Sequence, residues 1–240
     1  MKERPISHVP MWVLVALASA LALQLAAGAL RPAPRATAES LPMAPSAGLV
    51  RLASLGEPIA SAKLLMLYLQ SFDYQPGTRI PYRDLDYGRL TAWIDRIVEL
   101  DPSAQYALMS ASHIYAEVPD PAKSRQMLDL VYRRYLEDPN RRWPWLAHAA
   151  YVAKHQLKDL ALARRYAVAL EQHTTTPDAP MWVRQMEFFI LEDMNQLEAA
   201  KILLGGLIAS GQITDQRELK LLERRLQRLE ERIEAERVGK

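Results

Sequence analysis

The sequence predicts an all-α protein, in which an N-terminal membrane-spanning helix precedes about four stacked helix pairs and a charged C-terminal helix. Residues 11–30 form an uncharged apolar run. From Glu57 onward apolar residues recur at helical spacing, and the alternation typical of a half-buried strand does not recur. Pro102, Pro139 and Pro177 are 37 and 38 residues apart, which indicates a repeated helix–turn–helix unit of that length.

The composition excludes several classes of function. The 240 residues include no cysteine, which rules out disulfides, thiolate metal sites and a cysteine nucleophile. Lys and Arg total 30 against 28 for Asp and Glu, and the resulting net charge of +2 is far from a concentrated basic surface. We therefore expect no nucleic-acid partner.

The apolar run 11–30 is long enough to cross a bilayer. As a helix rising ~1.5 Å per residue it would span ~30 Å, the thickness of the hydrocarbon core. It has no polar face, unlike most helices of a soluble core. A cleaved secretory signal is the alternative, because Ala27-Gly28-Ala29 and Ala36-Thr37-Ala38 have the form of cleavage sites. The length of the run favours an uncut anchor.

The charges beside the run bear on its orientation. Lys2 and Arg4 favour a cytosolic N-terminus and an outward-facing remainder. Arg31 and Arg35, on the other flank, oppose that arrangement.

The chain divides into five predicted segments. They are a tail over 1–10, an anchor over 11–30, a semi-extended proline- and alanine-rich linker over 31–56, a repeat domain over 57–212 and a charged amphipathic helix within 213–240.

Nine helices are expected after the linker, each ended by proline, glycine or a loop. In chain order they cover 59–71, 86–100, 104–117, 121–136, 144–156, 159–172, 181–194, 196–210 and 215–237. Adjacent helices form pairs, and stacked pairs share a continuous core because a single pair cannot bury both of its apolar faces.

The second helix of each pair resembles that of the tetratricopeptide repeat family. In MNQLEAAKILLGGLIASG (194–211) a small residue, Ala200, is followed by apolar residues four and seven positions later. DYGRLTAWIDRIVELDP (86–102) keeps the spacing and the closing proline. The first helices lack the family's Trp-x-x-Leu-Gly-x-x-Tyr run, and the loop 72–85 interrupts the period. The resemblance covers roughly 57–211, as four degenerate repeats.

This resemblance implies a right-handed α-solenoid whose first helices line a concave groove for peptides or protein segments, and it implies no catalysis. In this register the groove-lining residues are Tyr106, His113, Trp145, His148, Trp182 and Phe189.

The segment RRWPW (141–145) contains the candidates for anion binding. Its Trp145 has a counterpart 37 residues later at Trp182, and we interpret its proline as the start of a first helix. Arg141 and Arg142 have no basic counterparts at the equivalent positions of the neighbouring repeats. The segment is mainly punctuation of the repeat, and if this repeat binds an anionic group, these two arginines are the residues expected to bind it.

No catalytic or cofactor motif is found in the sequence. Phosphate-binding Gly-Lys-Ser/Thr and nucleophile-elbow Gly-x-Ser-x-Gly patterns do not occur. Ser110 and His113 share one predicted helix, but no acid is positioned to orient the imidazole. His148 and His155 are seven residues apart, wider than the usual spacing of zinc ligands on a helix. We expect no enzymatic activity, no cofactor and no metal.

The last helix has a narrow apolar seam flanked by charge, formed by Leu219, Leu222, Leu226, Leu229 and Ile233. Such a seam suits a cap over the end of a repeat stack. It is also the pattern of a coiled coil, so contact with a second chain through 217–237 is the alternative.

Together these features predict a membrane-tethered scaffold or adaptor that binds a protein partner or peptide segment within a secretion, export or assembly complex of a bacterial envelope. We expect a single-pass protein of the bacterial inner (cytoplasmic) membrane with its repeat domain in the periplasm. The alternatives are an accessory subunit held in a membrane complex through 11–30, and a periplasmic ligand-binding protein released by signal cleavage.

Overall fold

The computed structural model describes residues 9–30, 38–211, 213 and 215–238. The chain forms two compact units, Met1–Glu39 with Tyr74–Arg79, and Ser40–Asp73 with Ile80–Lys240. Most of the predicted tail lies outside the described residues. The same is true of the four residues on which the expected orientation depends, Lys2, Arg4, Arg31 and Arg35. Part of the second candidate cleavage site also lies outside them.

Helix α1, Met11–Ala29, belongs to the first unit. It has no charged residue, a mean hydropathy of 1.9 and no residue buried against protein. Among the described residues it is the one unbroken helix long and apolar enough to cross a membrane. Its bounds match the predicted anchor to within one residue.

The first unit also contains a small hairpin that the sequence did not predict. Strand β1 (Tyr74–Gln75) pairs antiparallel with strand β2 (Thr78–Arg79). Gly77, after Pro76, turns the chain with a φ of 76°, a conformation that glycine adopts without steric strain. Two-residue strands are too short to show a period of two, so no alternation could reveal them.

The second unit contains the remaining α-helices of the described chain. They are α2 (Ala47–Ala53), α3 (Pro58–Ser71), α4 (Tyr87–Leu100), α5 (Tyr106–Ser110), α6 (Pro121–Glu137), α7 (Pro139–His155), α8 (Leu160–His173), α9 (Met181–Asp193), α10 (Leu197–Ala209) and α11 (Gln216–Val238). A 3-10 helix covers Tyr82–Asp84, and a π-helical turn, Ala111–Tyr115, continues α5. The predicted all-α class is confirmed.

Consecutive helices pack against each other throughout the second unit. Contacts join α3 to α4, α6 to α7, α7 to α8, α8 to α9, α9 to α10 and α10 to α11. Helices that are two places apart along the chain also contact each other: α4 contacts α6, and both α5 and the π-turn contact α7. The apolar faces of neighbouring pairs therefore merge into a continuous core that runs from α2 to α9.

Aspartates at the helix starts fix where several helices begin. Carboxylate oxygens of Asp86, Asp120 and Asp159 accept hydrogen bonds from first-turn backbone N–H groups at 2.9–3.2 Å. Each bond satisfies a donor that has no partner inside the helix. The bond from the Leu162 N–H, and next the bond from the Arg125 guanidinium, lower the pKa of the Asp159 carboxyl.

The interpretation of the proline of RRWPW as a helix start is wrong. Helix α7 begins five residues earlier, with Pro139 in its first turn, and Pro144 lies inside the helix. Pro139 needs no N–H partner at that position and has its φ preset for a helix. Pro144 removes one backbone bond, that to the carbonyl of Asn140, and this loss is tolerated within the packed unit.

The segment 38–56 is more structured than the expected linker. Leu41 is buried, and α2 lies between Ala47 and Ala53. Three side chains of α4 hold residues 41–45: Arg89 Nη1, Trp93 Nε1 and Arg96 Nε donate to backbone carbonyls of this segment at 2.6, 2.8 and 2.9 Å. We call residues 41–45 the strap. Proline and alanine content alone did not reveal these partners, which lie about fifty residues away along the chain.

Helix α11 packs its apolar seam inside the chain. Leu222, Leu229 and Ile233 are buried, and the seam contacts residues of α9 and α10 in a second hydrophobic cluster. Arg225 Nε donates to a carboxylate oxygen of Glu192 at 2.8 Å and reinforces this contact. The seam is thus occupied within one chain, and a coiled-coil contact with another chain would have to use the charged outer face.

Arg142 does not face an external anion. The residue is 2% exposed, and its guanidinium donates to the carbonyl of Arg134, to Glu137 Oε2 at 3.0 Å and to the carbonyl of Pro102 at 3.1 Å. The Arg134 carbonyl lies in the last turn of α6 and has no helical partner. Arg142 therefore joins α6, α7 and the loop after α4, and its predicted anion-binding role is wrong because the side chain is buried and both of its Nη groups bind internal oxygens. Arg141 remains exposed, with its Nε 3.3 Å from Asp138.

Replacing Arg142 by leucine should lower the free energy of unfolding by about 2–4 kcal/mol, because two partly buried carbonyls would lose a charged donor. The matched change Arg141→Leu removes an exposed ion pair and should alter it by less than about 0.5 kcal/mol. Urea unfolding of the detergent-solubilised chain, followed by circular dichroism, measures both. Equal effects of the two variants would contradict this role for Arg142.

Candidate functional site

Five rings form a continuous row on the surface of the second unit. In order they are Trp145, His113, His148, Tyr151 and His155. Neighbouring ring centroids lie 5.8, 3.5, 5.7 and 4.6 Å apart, and the imidazoles of His113 and His148 stack within 13° of parallel. We call these five residues the ring row. It brings together three of the predicted groove residues.

The ring row arises from one face of α7 and from the π-turn. Trp145, His148, Tyr151 and His155 follow one another at spacings of three, three and four, which places them on one face of the helix. His113 comes from the π-turn, where the N–H of Ala116 donates to the carbonyl of Ala111 five residues earlier. This turn interrupts the single helix predicted for 104–117. π-turns of this kind occur frequently at functional sites.

Polar partners hold the rings in place. The Trp145 indole N–H donates to Gln105 Oε1 at 2.6 Å, and His148 Nε2 lies 2.8 Å from Glu117 Oε1. His113 Nδ1 lies 2.8 Å from the hydroxyl oxygen of buried Ser112. The pKa of the His113 imidazole is lowered, because burial and the nearby His148 disfavour its charged form more than Glu117 favours it. The His113 imidazole therefore resists taking a positive charge within the row.

An apolar groove adjoins the ring row. It has a volume of about 530 Å³ and lies between α3 and α5, with Met66, Leu67 and Ile97 among its lining residues. Tyr106 stands at its border, half-exposed, and accepts a hydrogen bond from the side-chain amide of Gln70. Gln105 lines the groove and also binds Trp145, so this residue connects the groove to the row. We call the two together the binding face.

Trp182 and Phe189 do not join the binding face. The Trp182 ring contacts Trp143 at 6.0 Å rather than any ring of the row. Phe189 packs beside Phe188, and the guanidinium of Arg225 lies 4.3 Å from its ring centroid. Because Arg225 belongs to α11, the C-terminal helix covers Phe189. Repeat register alone does not show which residues a cap will cover.

Sequence reasoning missed Gln105, Glu117 and Tyr151. Tyr151 lies three residues after His148 and four before His155, so its position on the same helical face could have been found. Gln105 and Glu117 gave no sequence signal, since their roles depend on contacts with α7, about thirty to forty residues away.

A second hollow, of about 510 Å³, lies among α8, α9 and α10. Its carboxylates are Glu171 and the buried Glu187, and burial together with Glu187 raises the pKa of the Glu171 carboxyl. Arg164 Nε donates to Glu187 Oε1 at 3.0 Å, so the buried charge already has a partner. This arrangement is that of a compensated buried carboxylate.

The described residues contain no cluster of metal ligands. Within the described ranges, no group of three or more His, Asp or Glu side chains is arranged to hold a metal ion. The hydroxyl beside His113 belongs to Ser112, which is buried, and not to Ser110. The ring row is instead suited to stacking and to hydrogen bonding with another molecule.

Comparison with models of protein families, with curated proteins and with solved structures found no match to this chain. The likeness to tetratricopeptide repeats therefore stays a prediction from residue spacing.

We expect the folded second unit to become less stable as the pH falls below about 6.5. The unfolded chain protonates His113 at the ordinary pKa of 6.5, whereas the folded chain resists this until a lower pH. The contribution of His113 is therefore complete above pH 6.5 and is lost as the pH falls through the folded-state pKa. Urea midpoints measured between pH 7.5 and 5 should fall less steeply in His113→Gln than in the original chain.

His173→Gln provides the control for this experiment, because His173 is exposed at the end of α8 and belongs to no ring contact in the described chain. The same reduction in slope for His173→Gln would show that the stacked imidazoles are not its source.

Proposed function

We propose that this protein is a membrane-tethered helical-repeat adaptor that binds a segment of a partner protein on its binding face. The observation that carries the proposal is the continuity of an apolar groove with a row of five partly exposed rings, joined through Gln105 and Trp145. Binding sites for segments of other molecules combine apolar concave surfaces with a few fixed polar groups, and this face has both.

The binding face is built for recognition at low entropic cost. Gln105, Ser112 and Glu117 each bind a ring of the row, so the rings are ordered before any partner arrives. Prior order reduces the entropy lost on association. Tyr and Trp side chains also dominate the binding energy of many protein interfaces. The groove would accept an apolar side chain of the partner, and the row would stack on its planar groups.

The proposed architecture is a right-handed solenoid like that of tetratricopeptide repeats. It is supported by the contacts of α4 with α6 and of α5 with α7, since equivalent helices of successive repeats are neighbours in such arrays. In that arrangement α5 and α7 are first helices. The residues of the ring row would then line the concave side.

The proposed tether is α1, which would cross the inner membrane of a bacterium once and place the second unit in the periplasm. Its 19 residues would span ~28 Å at ~1.5 Å per residue, close to the thickness of a bilayer core. The alternative is that a signal peptidase cleaves the chain after this helix. The intact mass of the mature chain distinguishes the two, since an anchor retains residues 11–29.

Photocrosslinking tests the binding face directly. A benzophenone amino acid at Tyr151, which is half-exposed in the ring row, should capture a defined protein in living cells. The same group at the equally exposed Leu221 of α11 should not capture that protein. With the purified partner, Tyr151→Ala should weaken binding by about 10- to 30-fold, as expected for an interface aromatic. Equal capture at both positions would contradict the proposal.

Exchanging the tether separates this function from that of a subunit held through its membrane helix. Residues 11–29 would be replaced by an unrelated apolar helix of the same length. The adduct at Tyr151 should persist, because the binding face is unchanged. Co-purification measures the same complex without a crosslinker. Loss of the complex would show that α1 itself recognises the partner.

A further inference from the structure

The corner between α2 and α3 exposes large apolar side chains to solvent. Leu49, Leu52, Leu55 and Ile59 follow each other around this corner, and Leu52 and Leu55 are 77% and 92% exposed. We call these four residues the apolar corner. A cluster of large exposed apolar residues marks a surface that another phase or molecule covers.

Leu55 is also held in an unfavourable backbone conformation. Its φ is 50°, in the left-handed region that is rare for a bulky residue, and Gly56 follows at 93°. The turn could have been made with glycine or asparagine at no comparable cost. Instead a leucine occupies the turn and projects outward. The backbone strain at Leu55 disfavours this conformation, and the side chain is not buried in the core, so core packing does not explain it.

The length of the chain limits how far the apolar corner can lie from the end of α1. The strap is fixed to α4 by Arg89, Trp93 and Arg96, and α2 starts immediately after it. From Leu30 to Leu41 there are eleven steps along the chain, which reach at most about 40 Å when fully extended. With α1 in a bilayer, the corner would be tethered within reach of the lipid surface.

The charge around the apolar corner suits an anionic surface. Between residues 46 and 71 the charged residues are Arg51, Glu57 and Lys63. Neither Arg51 nor Lys63 makes an ion pair with a described residue, so both are available to phosphate groups. Helices α2 and α3, which meet at a bend of 113°, are together apolar enough to pass as a membrane segment. Apolar residues flanked by cations are typical of elements that lie in the membrane interface.

We propose that the apolar corner inserts into the headgroup region of the bilayer that holds α1, as a second membrane contact. This inference rests on the proposed tether. Leu52 and Leu55 enter the acyl boundary, and Arg51 and Lys63 contact lipid phosphates. Two contacts on one chain restrict how the second unit can rotate about its tether. The binding face would thus be presented in a limited range of orientations.

The chain is suited to a direct test because it has no cysteine, so single cysteines can be labelled cleanly. Leu55→Cys and Leu52→Cys would carry the environment-sensitive dye NBD in the full chain, reconstituted into phosphatidylethanolamine–phosphatidylglycerol vesicles. Leu221→Cys, an exposed leucine on α11, serves as the matched control. NBD emission should shift to the blue at 52 and 55, and quenching by lipids with a shallow doxyl group should be at least about threefold stronger there than at 221.

The outcomes separate the corner from the tether. Co-flotation of the chain with vesicles reports on α1, and its failure would overturn both proposals. If the chain floats while dyes at 52 and 55 behave as at 221, the tether stands and the corner contact is wrong. A dye that is shielded from water but not quenched by doxyl lipid would show that a second copy or another protein covers the corner, which also overturns the lipid contact.

Discussion

The buried guanidinium of Arg142 is the interaction on which the arrangement of the second unit depends most. It binds the unpaired carbonyl of Arg134 at the end of α6 and the carbonyl of Pro102 in the loop before α5. One side chain of α7 therefore fixes that helix against the elements on both sides of it. The ring row forms because α7 is held in this register, which brings His148 against His113 of the π-turn at 3.5 Å.

The π-turn and the polar side chains that bind the rings determine how the ring row is exposed on its helix pair. An added residue in the turn at 111–115 changes the direction of His113, and Ser112 then holds its imidazole. Glu117 and Gln105 fix the neighbouring rings in the same way. Stacking and apolar contact are the chemistry that this arrangement supports best, and both suit recognition of a protein segment.

Two features connect the proposed membrane anchor to the proposed binding face. The strap binds α4 through side chains of three residues, so the chain enters the second unit at a fixed point. The apolar corner follows this point directly and exposes leucines that have no partner among the described residues. An adaptor that recruits a partner at a membrane benefits from such restriction, because a limited orientation raises the effective concentration of its binding site near the partner.

The sequence alone determined the all-α class, the apolar N-terminal helix and most helix bounds to within two residues, because apolar period, aspartate caps and proline breakers are local signals. Three of its candidate groove residues, His113, Trp145 and His148, lie together in the structure. Tertiary structure decided the rest. Arg142 faces inward and Phe189 is covered by α11, although their sequence context resembles that of exposed residues. The strap and the partners of Trp145 and His148 depend on contacts between residues about thirty to fifty positions apart, and no local pattern encodes such contacts.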